Sequence, residues 1–130
     1  MEGLYKYITE YKSQELWVIH HLSEHYYSGT QVAIVGAYDS ENKAIKAAKD
    51  YIQYNTEVFT MLTEDDVKYI RDSNISNYKL TKHGENRYSI EFMTPLRDQP
   101  ITLEELQYFL DATEDYIEIS KVNLNEPFTS

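Results

Sequence analysis

Cysteine is absent from this chain of 130 residues, which excludes disulfide bonds and thiolate metal sites. A chain without disulfides fits a reducing compartment, so we expect a cytoplasmic protein. Glycine is scarce as well, with four isolated copies. The glycine-rich loops that hold phosphates and the elbow that presents a nucleophilic serine are both missing from the sequence. These absences predict a protein that is not an enzyme and that carries no cofactor.

Long hydrophobic runs are missing too. The longest apolar run covers residues 32–38, far below the roughly 20 residues that span a bilayer. The first residues do not have the basic start and the apolar stretch that make a secretory signal. We therefore expect neither membrane insertion nor secretion.

Basic residues are few: the chain has 12 of them against 22 acidic ones, and its net charge is −10. Residues 98–130 hold eight carboxylates and one base, Lys121, so this stretch carries −7. Such a surface repels phosphate backbones, so we expect no direct nucleic-acid binding, and it attracts a basic partner. The alternative is that the charge only keeps the protein soluble.

The apolar content of 42% and the length of the chain predict one folded domain over residues 1–130. The hydrophobic periodicity predicts an α+β fold, with a mainly antiparallel sheet of about five strands, two hairpins, and two or three helices packed on one face. The predicted strands are 16–22, 31–38, 78–82, 87–93 and 116–124, and the predicted helices are 41–54, 63–72 and the stretch from 103 to a stop at 111–113. Residues 4–12 fit a strand or a helix, and their alternation favours a strand.

Several local patterns refine these elements. The first strand is apolar on both of its faces, which predicts a strand covered on both sides or a central one, and we expect Trp17 to belong to the core. Thr102 and Glu105 form a capping box, and Thr63 with Asp66 forms a variant of it. The alternation of the last strand slips, which predicts a bulge or an edge.

The first helix is expected to begin after Asp39 or Ser40 and to carry a basic outer edge. Lys43, Lys46 and Lys49 follow one another at three-residue spacing, which places them together on one side of a helix. We expect that side to face solvent.

One motif, from His21 to His25, matches the H-x-x-E-H pattern of zinc hydrolases. That chemistry needs a helix, because a helical turn places both imidazoles on one face. Here the motif continues a predicted strand into a turn, so we expect polar residues at a strand end. A non-catalytic metal site formed by His20, His21 and His25 is the alternative.

A second motif is basic. Arg87 and Arg97 are two of only three arginines, and both lie near the second predicted hairpin. Together with Tyr26 and Tyr27 they could hold the phosphate and the base of a nucleotide. Ordinary surface ion pairs with Glu85 and Glu91 are the simpler explanation.

Residues 16–20 and 33–44, with Gly36 to Ser40 leading into a helix, resemble small phage and bacterial domains of unknown function, and residues 116–119 resemble their last strand. The resemblance implies a compact sheet-and-helix module. With the charge, it favours a phage-encoded acidic protein that inhibits a basic host or defence protein, and DNA-like charge is one way in which it could do so. The alternative is a sponge for a nucleotide messenger of bacterial immunity. The predicted partner-binding residues are Glu104, Glu105, Asp111, Glu114 and Asp115.

Overall fold

The computed structural model describes residues 15–25 and 29–123, and within them it has the predicted α+β architecture. In chain order the elements are β1 (Glu15–His25), β2 (Gly29–Tyr38), α1 (Glu41–Asn55), α2 (Glu64–Asp72), β3 (Tyr78–Gly84), β4 (Arg87–Phe92), a 3-10 turn (Leu96–Asp98), α3 (Leu103–Ala112) and β5 (Asp115–Asn123). The strand predicted at residues 4–12 lies outside the described residues.

The five strands form two antiparallel sheets instead of one. The larger sheet has the order β2-β1-β5, so β1 is central, which is one of the two alternatives that its apolar faces predicted. β5 is an edge strand and pairs with β1 without interruption from Glu15 to Ser23. A shift of register does occur in this sheet, but in the pairing of β1 with β2, between Ile19 and His20.

One face of this sheet meets the helices. Side chains alternate between the two faces of a strand, so Trp17, Ile19 and His21 share the inner face. Ile19 is fully buried, and Ile117 on β5 lies opposite His21 and is also buried. Trp17 packs against the core but stays half-buried, less deep than the sequence predicted.

Two helices cover the inner face. α1 begins after Ser40, whose hydroxyl accepts the amide of Lys43, and it buries Ala44, Ala48 and Ile52 completely. α3 begins with the predicted capping box of Thr102 and contributes Leu106, Phe109 and Leu110 to the core. The small alanines let α1 lie close to the strands.

The predicted basic edge of α1 is wrong at one position. Lys49 is only 7% exposed, and its ammonium group donates to the Gln99 carbonyl at 2.6 Å. Burial lowers the pKa of Lys49, while the carboxylates of Asp98 and Glu105 act in the opposite direction. The periodicity of α1 could not reveal this, because the 3-10 turn that covers Lys49 comes from a distant part of the chain.

The smaller sheet pairs β3 with β4 in a hairpin. It is joined to the loop between α1 and α2 by a bridge in which Leu62 and Tyr88 exchange two backbone hydrogen bonds of 2.9 Å. Phe59 packs edge-on against Phe92 with ring centroids 5.0 Å apart. These contacts hold the hairpin to the core through one face.

No helix among the described residues has the length and the apolar character needed to cross a membrane.

Candidate partner-binding groove

An open groove of about 570 Å³ lies along β5, between that strand, the start of α1 and the first half of α3. Its floor is apolar and is formed by Trp17, Ile45, Leu103, Ile117 and Ile119. The inner face of the sheet and the apolar sides of two helices meet here without closing completely. The groove therefore offers apolar surface that a partner could cover.

The rim of the groove is acidic. Glu41, Glu104 and Glu118 stand on three different elements and line it together with Lys121. The lysine already forms an ion pair with Glu15 at 3.0 Å, and its ammonium group lies 5.8 Å from the centre of the Trp17 ring. The three rim carboxylates thus keep an excess of negative charge, which attracts a basic ligand.

The predicted partner-binding carboxylates separate into two groups at the two ends of α3. Glu104 lies in the first turn and lines the groove. Glu105 turns back to its capping box, where its carboxylate accepts the Thr102 hydroxyl at 3.1 Å. Asp111 and Glu114 follow at the other end, roughly 15 Å along a ten-residue helix.

Asp115 is engaged within the fold. Its two oxygens accept from the ring of His21 at 2.9 Å and from the Thr113 hydroxyl at 2.6 Å. The other ring nitrogen of His21 lies 2.8 Å from the Tyr51 hydroxyl. This chain of hydrogen bonds joins β5, β1 and α1 and fixes the imidazole, and neither His21 nor Tyr51 lines the groove.

A second, smaller cavity of about 380 Å³ contains the acids at the far end of α3. It is lined by Leu22, Glu24, Thr30, Asp111, Glu114, Asp115 and Tyr116. Two of its carboxylates already accept hydrogen bonds, since Asp111 binds the Gln107 amide at 2.9 Å and Asp115 binds His21. Its apolar surface is smaller than that of the groove, so the groove is the better candidate for a binding site.

The whole histidine motif lies on β1, which continues to His25, whereas the sequence predicted that the strand passes into a turn before that residue. Consecutive side chains of a strand point to opposite faces, so His20 and His21 cannot bind the same ion. Both ring nitrogens of His21 are already hydrogen-bonded, one to Tyr51 and the other to Asp115. In the part of the chain that the structure describes, no group of three His, Cys, Asp or Glu side chains could hold a metal ion.

The two arginines of the nucleotide hypothesis lie at opposite ends of β4. Arg87 begins the strand and is exposed. Arg97 follows its end and forms an ion pair with Asp50 of α1 at 3.3 Å, with Asp98 also close at 3.7 Å. Its partners are therefore not the predicted Glu85 and Glu91. Tyr26 and Tyr27 lie outside the described residues.

A stacked pair of tyrosines joins α2 to α3. The rings of Tyr69 and Tyr108 lie 3.9 Å apart and nearly parallel. Burial raises the pKa of both hydroxyls, and the carboxylate of Asp66 raises that of Tyr108 further. Because the rings already touch, no nucleotide base fits between them.

Sequence reasoning missed most of the groove. Trp17 was assigned to the core, and Glu41 and Glu118 were not singled out, because they come from elements far apart in the chain. The slip in the alternation of β5 did indicate an edge strand, and that edge borders the groove. Of the five predicted partner-binding acids, only Glu104 lines the groove.

Comparison of the chain with models of protein families, with curated proteins and with solved structures finds no match.

Proposed function

We propose that this protein is a small acidic binding protein that takes up a basic segment of a partner protein. The observation that carries the proposal is the groove, in which an apolar floor is surrounded by Glu41, Glu104 and Glu118. Apolar contact supplies affinity, and complementary charge supplies orientation and a fast encounter. A coat that served only solubility would need no such floor.

In its full form the proposal includes the consequence of binding. A host or defence protein that meets nucleic acid through a basic surface would be inhibited when that surface is occupied. Carboxylates and phosphates present similar negative potentials to a basic surface, and residues 98–130 carry −7.

The test is capture of partners from a cell lysate over a range of salt concentrations, followed by affinity measurement on the captured protein. The variant combines Glu41→Gln, Glu104→Gln and Glu118→Gln, which neutralises the rim without adding bulk. We expect affinity to fall roughly tenfold or more at low salt, and the difference to shrink as salt screens the charges.

The matched control combines Glu57→Gln, Asp72→Asn and Glu85→Gln, which removes the same charge from exposed positions away from the groove. It should bind as the wild type does. If both triple variants lose affinity equally, only total charge matters. A partner that is insensitive to salt and to both variants would contradict the proposal.

A further inference from the structure

The groove has an unusual wall. Tyr116, Ile117, Glu118 and Ile119 are consecutive residues of β5, and all four line it. Their side chains alternate between the two faces of the sheet, so no single face can bring them together. What the four residues share is the edge of the strand, and the groove therefore runs along that edge.

The hydrogen-bond pattern shows which backbone groups the edge presents. The Glu24 amide donates to the Glu114 carbonyl at 3.2 Å, so these opposite residues are a bonded pair. Bonded and non-bonded pairs alternate along antiparallel strands. Tyr116 and Glu118 therefore bond to β1, while Ile117 and Ile119 turn their N–H and C=O groups outward.

Lys121 continues the outward set, because it lies two residues beyond Ile119 in the same uninterrupted register. At the other end, the carbonyl of Asp115 also points outward and is taken by the side-chain amide of Gln107 at 2.8 Å. Within the described residues, the backbone groups of Ile117, Ile119 and Lys121 have no such partner. Three successive outward residues are enough to pair with a short strand.

We propose that the partner segment binds as an added β-strand along the open edge of β5, with apolar side chains alternating with basic ones. The apolar side chains enter the groove over Leu103 and Ile45, and the basic ones lie on the opposite face beside Glu118. This inference rests on the proposed function and specifies the form of its ligand. Main-chain hydrogen bonds give such complexes affinity, and the pockets for alternate side chains give them specificity.

The other edge of the sheet is a poorer template. β2 pairs with β1 through a shift of register between Ile19 and His20, and bulges of this kind twist a strand and interrupt its ladder. The pairing of β5 contains no such shift. A second copy of this chain is also a poor occupant, because pairing two β5 strands brings acidic stretches of −7 together.

The test uses a synthetic peptide of about seven residues in which lysine and valine alternate, with blocked ends. A peptide of the same composition, with all lysines before all valines, is the control. Amide hydrogen exchange followed by NMR is the readout. In the free protein, the amides of Ile117, Ile119 and Lys121 should exchange faster than those of Glu118 and Ser120, which are bonded to β1. At saturation with the alternating peptide they should slow by about tenfold or more.

A pair of variants isolates the backbone contribution. Lys121→Pro removes one outward N–H, and Lys121→Ala removes the same side-chain charge but keeps that N–H. Both variants lose the ion pair with Glu15 equally and keep the backbone hydrogen bonds from β5 to β1, and thermal melting checks that both fold. We expect the proline variant to bind the alternating peptide roughly fivefold more weakly than the alanine variant, as loss of one hydrogen bond predicts.

The results separate the two proposals. Equal binding by the two peptides without slower exchange at the edge would overturn strand addition and leave a basic segment as the ligand. Failure of the alternating peptide to bind at millimolar concentration would also overturn strand addition, while salt-dependent capture judges the proposed function on its own. If the edge amides are protected in the free protein, in proportion to its concentration, the occupant is a second copy.

Discussion

The central strand of the three-stranded sheet buries Ile19 completely. In the two-stranded sheet, by contrast, Leu80 and Ile90 are only half-buried. The first sheet has α1 and α3 across its inner face. The second relies on Phe59 and on the bridge from Leu62. The depth at which a strand is buried therefore depends on what covers it, and similar hairpins acquire different roles.

The two regions are joined by a buried hydrogen-bond network around Gln99. Its carbonyl accepts the ammonium group of Lys49 from α1 at 2.6 Å. Its side chain accepts the amide of Ser76, just before β3, and donates to the carbonyl of Thr94, just after β4. The network thus ties the helix of the first sheet to one end of the second, where β3 begins and β4 ends.

Breaking this junction should have the largest effect. Lys49→Glu places a carboxylate against the Gln99 carbonyl and adds it to the negative charges of Asp98 and Glu105, and we expect a loss of about 3–5 kcal/mol in the free energy of unfolding. Chemical denaturation measures it. Lys46→Glu on the exposed side of α1 is the control and should change stability by less than about 0.5 kcal/mol. Equal effects would mean that Lys49 is exposed in solution.

The same lysine predicts a dependence on pH. Because burial lowers the pKa of Lys49 below its ordinary value of 10.5, the unfolded chain holds that proton more tightly than the folded one. The contribution of Lys49 to the free energy of unfolding therefore rises with pH between its folded-state pKa and 10.5. In Lys49→Met that contribution should disappear, which denaturation at several alkaline pH values would reveal.

The difference in burial between the sheets gives the next prediction. Ile19→Ala should lower the free energy of unfolding by about 3–4 kcal/mol, because a fully buried side chain leaves a cavity. Ile90→Ala removes the same atoms from a half-buried position and should cost about 1–2 kcal/mol. If the two losses are equal, the second sheet is covered in solution as well as the first.

The two sheets also each hold a hydrogen-bonded histidine. His21 bridges Asp115 and Tyr51 between elements, whereas His83 is exposed and is hydrogen-bonded to Ser89 of its own hairpin. His21→Ala should cost about 2 kcal/mol, because the Tyr51 hydroxyl and one carboxylate oxygen of Asp115 each lose a hydrogen bond. His83→Ala should stay within about 0.5 kcal/mol. Thermal or chemical unfolding of both variants, side by side, checks the contrast.

The smallest expected effect concerns the helix caps. Thr102→Ala removes the hydroxyl that accepts the Glu105 amide at 3.1 Å and should cost about 1 kcal/mol. Thr63→Ala should have a similar cost at α2, where Asp66 completes the box. A melting temperature that is unchanged in either variant would show that its cap does not contribute.

Local patterns predicted the elements well, and the comparison explains why. The capping boxes at Thr63 and Thr102 involve residues three apart in sequence, so their geometry is decided locally. The alternation of apolar and polar residues in β4 was the clearest strand pattern because one face of that strand is exposed to solvent. Apolar residues on both faces of β1 indicated a strand that is covered on both sides or central, and the structure places it in the centre of its sheet.

The features that the sequence could not predict depend on contacts between residues far apart in the chain. The division into two sheets depends on which strands pair, and no local sequence pattern encodes that pairing. Lys49 looks like any surface lysine until the turn at Leu96–Asp98 covers it. The groove likewise combines β1, β5 and two helix starts, so its residues show no spacing that could be recognised.

The pairing of β1 with β5 also has a kinetic consequence. The two strands stand at nearly opposite ends of the described chain, and the hydrogen-bonded residues His21 and Asp115 are 94 positions apart. Closing so long a loop is entropically costly, and folds dominated by distant contacts form slowly. The hairpin of β1 and β2 with α1 can form early, since its contacts are local, but the ladder on the other side of β1 must wait for β5. The strand whose outer edge we assign to the partner would therefore be the last to join, and the binding groove would come into existence only when folding is complete.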